Sequence, residues 1–148
     1  MSDSEAEVLL VDDSLGDIDL TSDVLAKSKW HFHLSSVNDG EEAISFLRRR
    51  GKYKETPTPD LILLDLNLPR KDGRTVLAEI KTDPALARIP VVIFTTSHAS
   101  ADITHCYELG ANCYLRKPGN LADFVALVHS LADFWLGFAS LPIRRTDE

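Results

Sequence analysis

Leu61-Ile62-Leu63-Leu64-Asp65-Leu66-Asn67-Leu68-Pro69 is the stretch on which the fold turns. Four apolar residues in succession, introduced by Pro59-Asp60 and closed by Pro69, predict a short strand buried on both faces, as in the middle of a parallel sheet. Asp65 stands at its carboxyl end. A carboxylate there is costly to desolvate unless something pairs with it, so the residues at the other strand ends become the ones to identify.

Toward the N-terminus, Glu7-Val8-Leu9-Leu10-Val11 is a second apolar run, and it ends in Asp12-Asp13-Ser14. Adjacent acids also occur in loops and at helix caps, and Ser14 or Asp13 suits the cap of a helix predicted over Leu15 to Ser28. Trp30 to Val37 alternates as a strand, Asn38-Asp39-Gly40 is a turn, and a helix follows over Glu41 to Arg50. Arg48-Arg49-Arg50 in its last turn suits the helix dipole.

Beyond Pro69, Arg70-Lys71-Asp72-Gly73 introduces a helix with Val76, Leu77 and Ile80 on one face. Ile89 to Phe94 is the next strand and runs into Thr95-Thr96-Ser97-His98, and a helix over Ala101 to Leu109 closes on Gly110. Asn112 to Arg116 is a fifth, less apolar strand, followed by Lys117-Pro118-Gly119 and a last helix from Leu121 to Phe138. Strands and helices thus alternate five times. This pattern predicts a parallel sheet with right-handed crossovers and helices on both faces.

With 148 residues, 44% of them apolar, and a net charge of −7, the chain has the profile of one soluble globular domain. The acidity argues against a general nucleic-acid or membrane surface, and Ile143-Arg144-Arg145 is too short to alter that. Met1-Ser2-Asp3-Ser4-Glu5 lacks a secretory pattern, and no apolar run approaches the ~20 residues of a bilayer span, so a cytoplasmic location is expected. Cys106 and Cys113 read as reduced thiols, and the five histidines, His98 included, fit no metal spacing.

In a parallel sheet every strand carries its carboxyl end to the same edge, where ligands bind. Asp12, Asp13, Asp65, Thr95 and Lys117 all follow strand ends. Each has a bland explanation, but those explanations do not predict that all the polar groups share one edge. Three carboxylates cannot stay ionised in one pocket without a cation, and oxygen donors suit Mg²⁺, with Mn²⁺ as an alternative. Lys117 is then placed to act on a phosphoryl group as a compact positive charge.

Asp12-Asp13, Asp65, Thr95 and Lys117-Pro118 together resemble the motif set of the receiver domains of two-component response regulators, over roughly Glu7 to Ser140. The resemblance implies a flavodoxin-like, doubly wound, five-stranded parallel sheet of order 2-1-3-4-5 with five helices, in a single domain. It implies Asp65 as phosphoacceptor for a phosphohistidine of a sensor histidine kinase. Metal binding would fall to Asp13, Asp65 and the backbone carbonyl of Asn67, with Asp12 acting mainly through a bound water. Thr95 and Lys117 would hold phosphoryl oxygens, Thr95 and Tyr114 would form the switch, and Pro118 would follow a cis peptide bond. Tyr114 is also readable as a partly exposed strand aromatic.

Gly119 departs from the family's pattern, which places a large apolar residue there, so a looser start of the last helix is expected. About ten residues remain after Phe138, which implies action without an output domain of its own, by docking, by passing the phosphoryl group onward or as a sink. Details around Asp65, Thr95 and Phe134-Trp135-Leu136 resemble stand-alone regulators paired with bacterial phytochrome kinases. Independently of any family, Phe134, Trp135, Leu136, Phe138 and Leu141 exceed what one helix end buries, which predicts a homodimer or partner contact there, with folding back onto the chain's own sheet as the alternative. The resemblance implies that the contact extends over the face of the fourth and fifth strands and helices.

The chain therefore reads as a phosphoacceptor signalling protein that catalyses only its own phosphorylation and dephosphorylation. An alternative is a receiver-like scaffold that is never phosphorylated, although such a scaffold would be expected to have lost part of the acid cluster or the lysine. A Mg²⁺-dependent phosphatase with an aspartate nucleophile is a further one. That chemistry needs a second carboxylate two residues after the nucleophile, where Asn67 stands.

Overall fold

Leu61–Leu64 forms the strand predicted from its four apolar residues, and all four side chains are fully buried. The computed structural model describes residues 5–142; the acidic Met1-Ser2-Asp3-Ser4 start and the Ile143-Arg144-Arg145 tail lie outside the described residues. Five parallel strands, β1 (Ala6–Val11), β2 (Phe32–Val37), β3 (Leu61–Leu64), β4 (Val91–Thr95) and β5 (Cys113–Arg116), pair in the order β2-β1-β3-β4-β5. Helices α1 (Leu15–Ala26), α2 (Gly40–Leu47), α3 (Gly73–Thr82), α4 (Ser100–Leu109) and α5 (Leu121–Ala132) cross between or follow them. The fold class and strand order implied by the sequence are those found.

Alternation within the central strands builds the two layers. Leu9, Val11, Ile62, Leu64, Val91 and Ile93 point to one face and pack with Ala43 and Ile44 of α2, Val76, Leu77 and Ile80 of α3, and Cys106 of α4. Val8, Leu10, Leu61 and Leu63 point to the other, where Ile18 of α1 and Leu131 of α5 cover them. Phe94 stacks at a tilt on Phe124 in the same layer, with ring centroids 5.4 Å apart. A strand apolar at every position is what burial on both faces demands.

The loops at the carboxyl edge are short and capped. Side chains of Ser14, Asp39, Asp72 and Asn120 accept hydrogen bonds from the backbone N–H groups of Asp17, Glu42, Arg74 and Asp123, which satisfies otherwise orphan donors at four helix starts. Gly110 takes the left-handed C-cap of α4 with φ 107°. Asn120 also donates through Nδ2 to Asp123 Oδ2 at 2.9 Å, so the start of α5 is tied down although Gly119 leaves open space beside it.

The chain's end differs from the uninterrupted helix predicted to Phe138. After Ala132 the helix widens into a π-helical turn, Asp133–Phe138. The extra residue per turn brings Trp135 and Leu136 onto the core and seats Gly137 against the ring of Trp30, whose Nε1 donates to Asp133 Oδ1 at 2.9 Å. Trp30 is thereby drawn out of the strand predicted to contain it. Leu121–Phe138 is 18 residues with a mean hydropathy of 1.4, which by length and composition is enough to cross a membrane, contrary to the expectation that no run approaches that length. Its apolarity has another use here, since Phe124, Val128, Leu131 and Ala132 close the α1/α5 layer.

Candidate functional site

Three strand ends deliver three acids and one cation to a single point. The Asp12 N–H bonds the Val37 carbonyl at 3.1 Å and the Asp65 N–H bonds the Val11 carbonyl at 2.9 Å, so both acids continue the sheet's ladder by one residue. The Lys117 N–H does the same with the Thr95 carbonyl at 2.7 Å. Asp12, Asp65 and Lys117 are all buried, and Thr95 is fully so. From the end of β5, the Lys117 ammonium donates to Asp12 Oδ2 at 2.6 Å, Asp17 Oδ2 at 2.9 Å and Asp65 Oδ2 at 3.1 Å. Asp13 is exposed, yet one oxygen from each of Asp12, Asp13 and Asp65 lies within 4.8 Å of the others.

Electrostatics follow from this crowding. Burial pushes the Asp12 carboxyl up to about 6, against the Lys117 hydrogen bond and the Ser14 N–H, which favour its charge. Burial also opposes the charge of Lys117, but the bonds to Asp12 and Asp17 and the field of Asp65 hold its ammonium above the usual lysine range. One ammonium thus faces several carboxylates. An all-oxygen, net-negative cluster of this size fits a hard divalent cation such as Mg²⁺ or Mn²⁺.

The raised Asp12 has a consequence for stability. Its folded-state value lies above the unfolded 3.8, so the native state binds the extra proton between 3.8 and about 6, and stability falls as pH rises through that window. Asp12→Asn should stabilise the metal-free protein by about 1–2 kcal/mol at neutral pH, because each unit of carboxyl shift is worth ~1.4 kcal/mol and loss of the Lys117 contact offsets part. Urea unfolding at neutral and acidic pH checks this. The gain should vanish below the ordinary carboxylate range, and a loss of stability at neutral pH would contradict it.

Tyr114 lies inward from β5, packed against the core, and its hydroxyl donates to the Ser97 carbonyl at 2.9 Å. Ser97 Oγ donates to Asp102 at 2.5 Å, and Asp102 holds Arg74 through Nε at 3.0 Å and Nη2 at 2.8 Å. Arg74 Nη1 also reaches Asp72 at 3.0 Å. A polar chain thus links the start of α3, the first turn of α4, the loop after Thr95 and the tyrosine.

The structure corrects the expectation of a cis bond before Pro118, because no peptide bond among the described residues is cis. Trans is the lower-energy X-Pro isomer by about 0.5–1 kcal/mol, and with it Lys117 already reaches its three carboxylates.

Sequence reasoning missed four participants. Asp17 looks in sequence like Asp19 and Asp23 of the same helix, and only the position of Lys117 singles it out. Arg74 and Asp102 belong to separate predicted helices, and nothing in the chain pairs them. Gly73 looks in sequence like an ordinary member of the loop that introduces α3, but a Cβ there would lie 2.2 Å from the Asp65 carbonyl oxygen and 2.6 Å from Leu66 Cα. The glycine lets α3 begin against the backbone of the acid itself.

Known proteins resemble this chain in sequence and fold. The model of the response regulator receiver domain matches residues 8–129. Response regulator Rcp1 of Synechocystis sp. is 50% identical over 135 residues, 91% of this chain and 92% of that protein. Its Mn²⁺-bound crystal structure superimposes with a TM-score of 0.91 at 49% identity, covering 93% of this chain and 99% of that one. The phosphorylated cyanobacterial phytochrome response regulator RcpA gives a TM-score of 0.91 at 48% identity, covering 95% and 100%. With the acids, threonine and lysine at the strand ends, and the family match spanning most of its length, the chain belongs to the response regulator receiver family.

Proposed function

We propose that Asp65 accepts a phosphoryl group from a phosphohistidine on a sensor histidine kinase, and that the chain signals by the surface change that follows. The observation that carries this is the buried ammonium of Lys117 bonded to Asp65 and Asp12 at the carboxyl edge. Asp12, Asp13 and Asp65, with the Asn67 backbone carbonyl, would hold Mg²⁺ or Mn²⁺. A divalent cation there supplies neutralisation of charge on the transferred oxygens.

The chain's own groups do the rest. An Asp65 oxygen attacks phosphorus, the phosphorus–nitrogen bond to the kinase imidazole breaks, and an aspartyl phosphate results. Lys117 moves from the carboxylates to a phosphoryl oxygen, and the Thr95 hydroxyl donates to another. Such transfer asks chiefly for positioning and charge stabilisation, which a small set of fixed groups supplies. Drawing Thr95 inward shifts the loop that also holds Ser97, and through it Tyr114 and Asp102, so the readout is the α4–β5–α5 face.

Rcp1 is a response regulator and RcpA a phytochrome response regulator, which supports a phytochrome-type kinase as partner; the reading places the chain in the cytoplasm, where such a kinase domain would meet it. The protein acts as a phosphoacceptor in this reading, not as an enzyme on other substrates. Phosphate label should pass from such a phosphorylated kinase to wild type and not to Asp65→Asn; equal labelling of both would overturn the assignment.

A homodimer through the α4–β5–α5 face and the C-terminal aromatics belongs to the same reading. Phe134 and Phe138 are 54% and 80% exposed, a costly surface for a monomer. Trp135 contributes from beneath, packed on the core with its ring edge-on to Phe134 at 5.2 Å. Phe138→Asp should sediment as a monomer where wild type sediments as a dimer; an unchanged dimer would exclude this surface.

A further inference from the structure

Lys117 has one partner that the metal candidates do not include. Its ammonium contacts Asp12, Asp17 and Asp65 within hydrogen-bonding distance, whereas the cluster able to hold a cation comprises Asp12, Asp13 and Asp65. Asp12 and Asp65 therefore serve in both sets and Asp17 in only one. A divalent cation entering the cluster would draw those two carboxylates and repel the ammonium beside them. The side chain of Lys117 is only 3% exposed, so solvent is not open to it at that moment.

Asp17 offers the alternative. It sits in the first turn of α1, where its N–H bonds Ser14 Oγ at 3.2 Å, and its carboxylate is one-third exposed, toward the outer side of the lysine. We propose that Asp17 is a positioning residue that holds the Lys117 ammonium while a metal occupies Asp12, Asp13 and Asp65, and gives it up when a phosphoryl oxygen arrives. This rests on the phosphoacceptor reading above. Asp17 touches neither metal nor phosphate in this scheme and acts through the lysine alone.

Two opposed effects follow. Without Asp17, the lysine keeps its grip on Asp12 and Asp65, so metal binding weakens. In the metal-loaded protein the lysine is less restrained, so a phosphoryl-like anion binds more tightly. Each effect should be about three- to tenfold, the scale of one partly exposed ion pair.

A double-mutant cycle on Mg²⁺ affinity, measured by titration calorimetry without any phosphodonor, tests the proposal. Asp17→Asn should weaken Mg²⁺ binding three- to tenfold in wild type and less than twofold in Lys117→Ala, with beryllofluoride binding at saturating Mg²⁺ tightened in the single variant. Asp17→Glu, which keeps the charge, should restore wild-type affinity. Asp19→Asn, an equal loss of charge at an exposed position on the same helix, should change neither. Equal weakening by Asp17→Asn with and without Lys117 would overturn the proposal and reduce Asp17 to a contributor of general negative charge. Wild type that binds no Mg²⁺ would overturn the metal assignment itself, and the proposal with it.

Discussion

Replacing Lys117 by alanine should slow phosphoryl uptake at Asp65 by at least about a hundredfold, the usual scale for deleting one preorganised charge from a transfer site. The lysine's ammonium is the only cation that the described residues place on Asp12 and Asp65, with contacts of 2.6 and 3.1 Å. Its deletion removes the group positioned to meet charge on the transferring phosphoryl. Arginine should not restore the rate, because its planar fork cannot occupy the space of a compact ammonium among three carboxylates. Single-turnover phosphorylation by acetyl phosphate at saturating Mg²⁺ measures this. A rate within tenfold of wild type would show that Lys117 serves the resting structure alone.

Gly73→Ala should be a severely damaging small substitution beside Asp65, at about 2–4 kcal/mol of stability. The added methyl would meet backbone atoms at 2.2, 2.6 and 2.9 Å, and backbone cannot rotate out of the way. The same contact includes the Gly73 N–H bond to the Leu66 carbonyl at 2.8 Å, so α3 has to lift as a unit from the residues that fix Asp65. Denaturant unfolding checks the size, and a loss under 1 kcal/mol would mean that the start of α3 yields more easily than its packing implies. Gly40, whose added Cβ would lie 1.9 Å from the Lys71 carbonyl oxygen, is constrained by the same loop from its other side.

The parts of the molecule legible in sequence are those dictated by local pattern. Leu61–Leu64 could be placed because four apolar residues in a row have few other uses, and the matching runs of β1 and β4 placed Asp12 and Thr95 at the same edge. Lys117 followed from the spacing of a fifth strand. The strand order itself came from the resemblance and not from periodicity.

What was not legible depends on contacts between distant segments. The π-helical turn after Ala132 exists where Gly137 packs on Trp30, and no helical period announces it. Asp17 has the same local signature as its solvated neighbours until β5 brings Lys117 over α1. The Arg74–Asp102–Ser97–Tyr114 chain joins two helices, a loop and an edge strand, and each residue alone is an ordinary polar side chain. The exposed aromatic surface follows from composition, but the inward packing of Trp135 between the exposed Phe134 and Phe138 is set by that turn.

Intact-protein mass after incubation with Mg²⁺ and acetyl phosphate, for wild type and Asp65→Asn side by side, tests the central claim most directly. The account predicts a gain of one phosphoryl group in wild type and none in the variant. A gain in both proteins, or none in either with Mg²⁺ binding confirmed, would contradict Asp65 as the phosphoacceptor.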